Sequence, residues 1–342
     1  MKVAKTNYAT NIFSLLILYL NGIILFSLIK TIKSRPGNTS KIYLNNNNNK
    51  NNNFQQESRI CSKNYIPSKL SSARDVILLF GTAFTSGLEL AIKSLRSTGC
   101  NARVVLLTIP EIILTKTELQ KLQKYEVEIY KDYVDPKGRK LVPHMIRYNY
   151  ELKWLKEHLN EVDRVLHSDA YDIFFQSDPF EDVIHYDDIM FVVEPHFIRS
   201  CGWNLQWLGQ CYGAEETEKI KNNFIICSGS IAGSVSEYIK LLELMISQKE
   251  WESCYDDSKD QPILNYLMWN GIIDDHHIKY RLTGCDAGFM TIQWCVLNRE
   301  IKLNQYGQIL SPANATPPYL HQYPRIDTLS NYLFKACGIE IY

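Results

Sequence analysis

The residues most able to do chemistry lie between positions 164 and 180, where two aspartates follow a short apolar segment. Val165 and Leu166 lead into Asp169, and Asp172 comes three residues later. An unpaired carboxylate beside a protein core is costly, so two of them at the end of a buried strand require a partner. Divalent cations such as Mg²⁺ and Mn²⁺ take carboxylate oxygens. The stretch therefore predicts a metal site, with a strand-turn-strand carrying solvated aspartates as the alternative.

Two other segments carry the small polar residues that let a backbone approach a ligand closely. The first is the turn 81–87, which has neither the P-loop nor the Rossmann glycine spacing. The second is the stretch 222–230, an apolar run that ends in small residues. A plain strand-to-helix connection and a tight turn are the alternatives. The candidate residues in these segments are Gly81, Thr82, Ser228, Gly229 and Ser230.

Two single residues have both a structural and a chemical interpretation. Asp260 precedes an apolar helical pattern and is a good helix N-cap, which by itself explains its presence. His321 lies in a proline-rich and aromatic segment, where a late histidine is either structural or one further ligand for a two-carboxylate metal site. Trp203 and Trp207 are a candidate floor for stacking a sugar ring, or else core residues.

Strands and helices alternate in the first half of the body, which predicts an α/β domain with a mainly parallel sheet flanked by helices. We predict strands at 75–80, 103–108, 127–130 and 190–193, and helices at 88–96, 117–125 and 145–159. Ligands of such sheets bind beyond the carboxyl ends of the strands. Asp169, Asp172 and the turn 81–87 are expected at that edge.

The N-terminal segment predicts a membrane anchor. Residues 12–29 carry no charge, which favours a transmembrane signal anchor after a cytosolic tail at 1–11, with a cleaved signal peptide as the alternative. Residues 30–72 are rich in asparagine and predict a disordered stem. Residues 73–342 predict a single folded domain.

Composition bears on the compartment and on the partners. The chain has 37 basic and 37 acidic residues, so nothing favours a nucleic-acid partner. Its nine cysteines are an odd number, so at least one has no partner in the chain. The cysteine content and the glycosylation patterns at Asn38 and Asn314 favour a lumenal body and a type II topology.

Three segments together resemble a poorly characterised family of nucleotide-diphospho-sugar transferases of the GT-A type. Residues 168–180 match its SDxxDxxFQxDPF motif, residues 260–265 its DQxxLN stretch, and residues 321–323 its late HQY. One departure is that His167-Ser-Asp169 stands where these enzymes usually have Asp-x-Asp. The resemblance implies a GT-A-like domain that transfers a hexose or pentose from a UDP- or GDP-sugar to a glycan or glycoprotein acceptor. It also implies a single-pass protein of the Golgi or ER membrane.

The resemblance further implies a role for each candidate residue. Asp169, Asp172 and His321 would bind Mn²⁺ or Mg²⁺; Gly81, Thr82 and Arg147 would bind the nucleotide; Ser228, Gly229 and Ser230 would lie near the donor sugar; and Asp260 would be the catalytic base or would position the donor. Two alternatives use the same residues. One is a metal-dependent hydrolase, and the other is a lumenal nucleotide-sugar or glycan-binding protein that has lost activity through the altered acidic motif.

Overall fold

The computed structural model describes residues 42–44, 60–62, 67–180, 183–257, 259–286, 288–296, 298 and 300–342. These residues belong to one compact unit, Ser40–Tyr342. The predicted tail and membrane anchor, residues 1–29, lie outside the described residues. Within the described ranges, no helix is long and apolar enough to cross a membrane.

The described residues form strands and helices that alternate through the first half of the unit. The strands are β1 (Ile42–Leu44), β2 (Asp75–Phe80), β3 (Arg103–Leu107), β4 (Val127–Tyr130), β5 (Arg164–Ser168), β6 (Ile173–Phe175), β7 (Ile189–Phe197), β8 (Phe224–Ser234), β9 (Tyr280–Thr283), β10 (Phe289–Thr291), β11 (Ile301–Leu303) and β12 (Tyr319–His321). The helices are α1 (Ser86–Ser97), α2 (Lys116–Lys124), α3 (Pro143–Glu157), α4 (Gly202–Ile220), α5 (Val235–Ser247), α6 (Glu250–Tyr255), α7 (Asp260–Trp269), α8 (Ile272–Asp275), α9 (Ile292–Cys295) and α10 (Asp327–Cys337).

The central sheet has the strand order β4-β3-β2-β5-β8-β7-β9. Strand β2 pairs in parallel with β3 and β5, β3 with β4, and β7 with β9, whereas β8 runs antiparallel to both β5 and β7. The predicted α/β class with a mainly parallel sheet is therefore confirmed. A second sheet, of order β10-β12-β6, joins the segment after β5 to the C-terminal region.

Strand β2 shows why the sheet is covered on both faces. All six of its residues are buried, and successive side chains of a strand point to opposite faces. Val76, Leu78 and Phe80 belong to one hydrophobic cluster, which includes side chains of α3 and α5. Ile77 and Leu79 belong to another, which includes side chains of α1. The continuous apolar sequence is thus the mark of a strand buried between two helical layers.

Capping residues set the starts of the first helices. Thr85 accepts a hydrogen bond at Oγ1 from the Leu88 amide at 3.2 Å, and α1 begins after it. Thr115 and Glu118 form a reciprocal capping box at the start of α2. Thr115 is thus the N-cap residue of α2, and Thr117 lies inside the helix.

Parts of the predicted stem belong to the folded unit. Strand β1 pairs in parallel with β11, and Ile60 is buried in the cluster that surrounds α10. Cys61 forms a disulfide with Cys337 at the end of the same helix. Pairing and a covalent bond hold these residues on the domain, so its boundary lies earlier than the predicted residue 73.

Two further disulfides lie inside the domain, Cys211–Cys254 and Cys285–Cys295. Cys100, Cys201 and Cys227 are free thiols. The three bonds fit the expectation of an oxidising compartment.

A buried ion pair ties the first residues of β2 and β5 together. Arg164 donates from Nε to Asp75 Oδ1 at 2.7 Å and from Nη2 to Asp75 Oδ2 at 3.0 Å. Its remaining donors bond the backbone carbonyls of Leu70, Phe180 and Ile184. The pair is therefore fully hydrogen-bonded, as a buried charge requires.

We predict that Arg164→Leu lowers the free energy of unfolding by about 3–5 kcal/mol, because it leaves the Asp75 carboxylate buried and uncompensated. Urea denaturation measures the loss. Arg74→Leu is the matched control, since Arg74 forms an equally bidentate pair with Asp163 at the surface. Its effect is expected to be much smaller. Equal losses in the two variants would contradict this account of β5.

Candidate functional site

A cleft of about 470 Å³ opens beyond the carboxyl ends of β2 and β5. Leu79 pairs with Ser168 in the sheet, so the residues that follow the two strands enter the cleft side by side. The lining residues are Phe80, Thr82, Pro143, His144, Arg147, Asp169, Ala170, Tyr171, Asp172 and Pro324. The cleft therefore lies at the edge where the parallel sheet was expected to bind a ligand.

The structure brings Asp169, Asp172 and His321 together. Asp169 follows β5, Asp172 precedes β6, and His321 ends β12 directly opposite Ile173. His321 Nε2 lies 3.0 Å from Asp169 Oδ2 and 3.5 Å from Asp172 Oδ1. One ligand atom from each residue lies within 4.8 Å of the others, so the group could hold a metal ion.

Arg147, on α3, lies against this group rather than free in the cleft. Its guanidinium donates from Nη1 to Asp169 Oδ1, and from Nη2 to Asp260 Oδ2 at 2.7 Å. The residue is only 4% exposed. We therefore revise the predicted role in nucleotide binding, because the charge of Arg147 is already shared by two carboxylates.

Electrostatics hold Asp169 ionised. Burial by itself raises the pKa of its carboxyl group, but the Arg147 guanidinium and the His321 ring together lower that pKa well below its usual range. For His321, burial by itself lowers the pKa of the ring. The Asp172 carboxylate and other neighbours outweigh burial and raise that pKa well above its usual value. The carboxylate of Asp169 is thus available as an anionic oxygen ligand at neutral pH.

Gly229 explains how these side chains come so close. The Asp169 amide donates to the Gly229 carbonyl at 2.9 Å, which places β8 beside the group. A Cβ atom at position 229 would lie 2.3 Å from Asp169 Oδ2 and 2.8 Å from His321 Cε1. Glycine is needed here for space, since its backbone is not in the left-handed region.

Ser228 and Ser230, on either side of Gly229, make their contacts with protein groups other than Asp169. The Ser228 carbonyl accepts hydrogen bonds from His167 Nε2 at 2.9 Å and from the Tyr148 hydroxyl at 3.3 Å. Ser230 is fully buried and its hydroxyl contacts Cys227 Sγ. Ser230 therefore packs inside the sheet, and its position near a donor sugar stays a prediction.

Asp260 is the first residue of α7, and the N-cap position belongs to Lys259, so the predicted cap is wrong. Its Oδ2 accepts from Arg147 and, at 2.9 Å, from the Tyr148 hydroxyl. The residue is 5% exposed. A buried carboxylate that already holds a guanidinium is a positioning group, and this geometry disfavours the predicted role of catalytic base.

His167 occupies the register where the resembling enzymes have their first aspartate. Both of its ring nitrogens are engaged: Nδ1 lies 2.7 Å from Glu151 Oε1, and Nε2 bonds the Ser228 carbonyl. Tyr238 also donates to Glu151 at 2.5 Å, and His167 and Glu151 are both 0% exposed. Position 167 therefore supports the backbone of β8 from within the core and offers no ligand to the cleft.

The turn after β2 is closed by a tyrosine. The Thr82 and Ala83 amides donate to the Tyr171 hydroxyl at 2.8 Å and 3.3 Å. Gly81 is buried, and a Cβ there would lie 3.1 Å from that hydroxyl. Thr82 thus lies on the cleft as predicted, whereas Gly81 gives room for Tyr171.

Glu194 on β7 is a residue that the sequence analysis missed. It is 3% exposed, and burial raises its pKa to about 7 even though His321, Cys227 and Trp294 lower it. Cys227 Sγ lies 3.5 Å from His321 Nδ1. The sequence did contain one indication of Glu194, namely an acidic residue directly after the apolar run 189–193.

The three-residue group fits a divalent cation by its donor set and by its surroundings. Two carboxylate oxygens and one imidazole nitrogen suit Mn²⁺ better than Mg²⁺, which prefers oxygen ligands alone. The absence of a side chain at Gly229 leaves room for Asp169 and His321 to come together. A second group of such residues, His185, Asp187 and Asp188, lies before β7 at the opposite edge of the sheet.

No protein-family model matches the chain, and no curated protein matches it either.

We predict that Gly229→Ala lowers the free energy of unfolding by about 1–3 kcal/mol, because the new methyl group forces Asp169 and His321 apart. Urea denaturation measures this loss. Gly284→Ala is the control, since a Cβ at position 284 meets no atom within 4 Å. If the two variants lose equal stability, the close approach at Gly229 does not restrict the residue type.

A second prediction concerns Glu194 and pH. Its folded pKa of about 7 lies above the ordinary 4.5, so between these values the unfolded chain has released a proton that the folded chain keeps. Stability due to this group is complete below the lower value and is lost as pH rises through the window. Glu194→Gln carries no charge. It should therefore gain stability relative to the unchanged protein, by on the order of 3 kcal/mol, between about pH 4.5 and pH 8.

Urea denaturation at several pH values, with a chelator present, measures this difference. Glu215→Gln is the control, because Glu215 is an exposed glutamate on α4. Its difference from the unchanged protein should stay flat with pH. A flat difference for Glu194→Gln as well would mean that Glu194 is ionised in the fold throughout the window.

Proposed function

We propose that the protein is a metal-assisted glycosyltransferase that transfers a sugar from a nucleotide-sugar donor to a glycan or glycoprotein acceptor. The observation that carries the proposal is the convergence of Asp169, Asp172 and His321, of which the two aspartates line the cleft. Asp169 and Asp172 lie in one short segment and His321 lies about 150 residues later in the chain, and the two segments meet where α/β sheets bind ligands. The domain is proposed to be GT-A-like.

The chemistry of the leaving group supports the proposal. When a nucleoside diphosphate departs from a sugar, negative charge develops on its phosphate oxygens, and a bound Mn²⁺ supplies Lewis-acid stabilisation of that charge. Asp169, Asp172 and His321 are the residues that would hold the ion. They would provide three ligand atoms, and oxygens of the donor or water would supply the others.

The remaining cleft residues fit the other parts of a UDP- or GDP-sugar. Thr82 and Tyr171 line the cleft together with Phe80 and two prolines, so they offer an apolar wall and a hydroxyl to the nucleoside. Gly229 lets the Asp169 and His321 side chains lie against the backbone of β8. Arg147 and Asp260 hold Asp169 in position from the protein side. The base that accepts the proton of the acceptor is left unassigned.

The proposed location follows from other features. The disulfides support a lumenal body in the Golgi or ER, and Asn314 is exposed as a glycosylated asparagine must be. A single-pass type II anchor at 12–29 remains part of the proposal.

A lumenal nucleotide-sugar or glycan-binding protein without turnover is a second candidate, and one observation favours it. His167 replaces the first aspartate of the usual motif and is buried against Glu151, so position 167 gives the site no carboxylate. The metal-dependent hydrolase has less support. The other group of possible metal ligands among the described residues lies at the far edge of the sheet and cannot complete a two-metal centre.

We predict that Asp169→Asn reduces Mn²⁺-dependent donor binding by about tenfold or more, because the amide keeps the shape of the side chain but removes its charge. The fold should persist, since Arg147 keeps its bond to Asp260. The measurement is the shift of Tm caused by a panel of UDP- and GDP-sugars, with and without Mn²⁺, on the full-length chain. Asp187→Asn, an exposed aspartate of the distant group, is the control.

Release of free sugar from the stabilising donor separates the two candidates. Slow Mn²⁺-dependent hydrolysis supports the transferase, and donor binding with no turnover toward any acceptor supports the binding protein. A folded Asp169→Asn variant that still binds the donor in a Mn²⁺-dependent way would exclude the proposed metal site. A protein stabilised by no donor would exclude the transferase and nucleotide-sugar binding, and would leave only the glycan-binding form of the second candidate.

A further inference from the structure

Helix α4 displays a surface of two indoles and two carboxamides, which we call the aromatic surface. It consists of Trp203, Gln206, Trp207 and Gln210, spaced three and four residues apart on one side of the helix. Trp203 is 67% exposed, and its ring centroid lies 6.0 Å from that of Trp207. A tryptophan this exposed does not stabilise the core.

The opposite side of α4 is fixed to the domain. Leu208 is 1% exposed, Cys211 is bonded to Cys254 of α6, and Tyr212 stacks on Tyr266 of α7 with ring centroids 3.7 Å apart. The helix therefore needs neither Trp203 nor Trp207 for its attachment. The indoles are held on a rigid support, which lowers the entropy cost of binding a ligand.

Hydrogen bonds connect helix α4 to the candidate site. Asn204, next to Trp203, accepts a hydrogen bond from Gln261 Nε2 at 2.7 Å, and Gln261 Oε1 accepts one from the Ser228 amide at 3.2 Å. Ser228 adjoins Gly229, which touches Asp169 and His321. Two hydrogen bonds thus connect the neighbour of Trp203 to the residue that adjoins Gly229.

We propose that the aromatic surface binds a pyranose ring of the acceptor glycan; this rests on the proposed function. One face of a pyranose presents C–H groups, which pack on an indole, and its hydroxyls can bond the carboxamides of Gln206 and Gln210. The four side chains carry no charge. They therefore match a neutral sugar, whereas a surface for anionic lipid carries lysine or arginine.

The test uses the full-length chain in a detergent without a sugar headgroup. Saturation-transfer NMR with lactose, cellobiose, mannobiose and chitobiose reports which ring protons touch the protein, and titration gives the affinity. Trp203→Ala and Trp207→Ala are each expected to weaken binding of the recognised disaccharide about tenfold, as the loss of one stacking contact implies. Mn²⁺-dependent donor binding should be unchanged.

Tyr186→Ala is the matched control, because Tyr186 is 62% exposed and precedes β7 at the opposite edge of the sheet. It should bind the disaccharide normally. Sugar binding that survives both tryptophan substitutions, or no binding of any disaccharide by folded protein, would overturn the proposal. So would a Trp203-dependent association with phosphatidylcholine vesicles or with a second copy of the chain that sugars do not displace.

The donor readout distinguishes failure of the two proposals. If Trp203 is needed for disaccharide binding but no donor binds with Mn²⁺, the sugar surface stands and the transferase does not. If the donor binds and Trp203→Ala leaves disaccharide affinity unchanged, the transferase stands and the sugar surface does not.

Discussion

The buried guanidinium of Arg147 is the interaction on which the site depends. It joins α3 to the carboxylates of Asp169 and Asp260 and so links the end of β5 to the start of α7. Removing a charged side chain from water is costly, and here both partners and the Tyr148 hydroxyl share the compensation. Without Arg147, two carboxylates would face each other in a poorly solvated space, and the edge of the sheet could not close around the cleft.

The three sequence motifs act as a second set of constraints on the same edge. Gln176 bonds the backbone of Ile309 and Pro317 and so brings β12 to β6, which places His321 beside Asp172. Asn265 bonds both the amide and the carbonyl of Ile226 at 2.8 Å, which fixes α7 to β8 and holds Gly229 against Asp169. Gln176 and Asn265 therefore position backbone segments, while Asp169 and Asp172 face the cleft.

The sequence was sufficient for features that depend on local pattern. The apolar runs gave the strands of the parallel sheet, and Asp169 at a strand end indicated which edge would carry the site. Features that depend on close packing could not be predicted from the sequence. The distance between Gly229 and Asp169, the burial of Ser230 and the pairing of Arg147 with Asp260 follow from how β8 and α7 lie on β5, which no spacing encodes. Glu194 was missed because one acid in an apolar strand has no periodic signal.

The negatively charged side chains of the candidate site outnumber the positive ones, which favours the binding of a cation. Asp169, Asp172 and Asp260 contribute three carboxylates near the cleft, and Arg147 and His321 together offset only part of this charge. Position 167 cannot add an acidic ligand, because His167 is engaged by Glu151 inside the core. An excess of negative charge beside low-dielectric walls attracts a cation and repels the phosphates of a nucleotide. A nucleoside diphosphate can therefore approach Asp172 only together with a cation. This coupling makes metal and donor a single binding event in the proposed reaction.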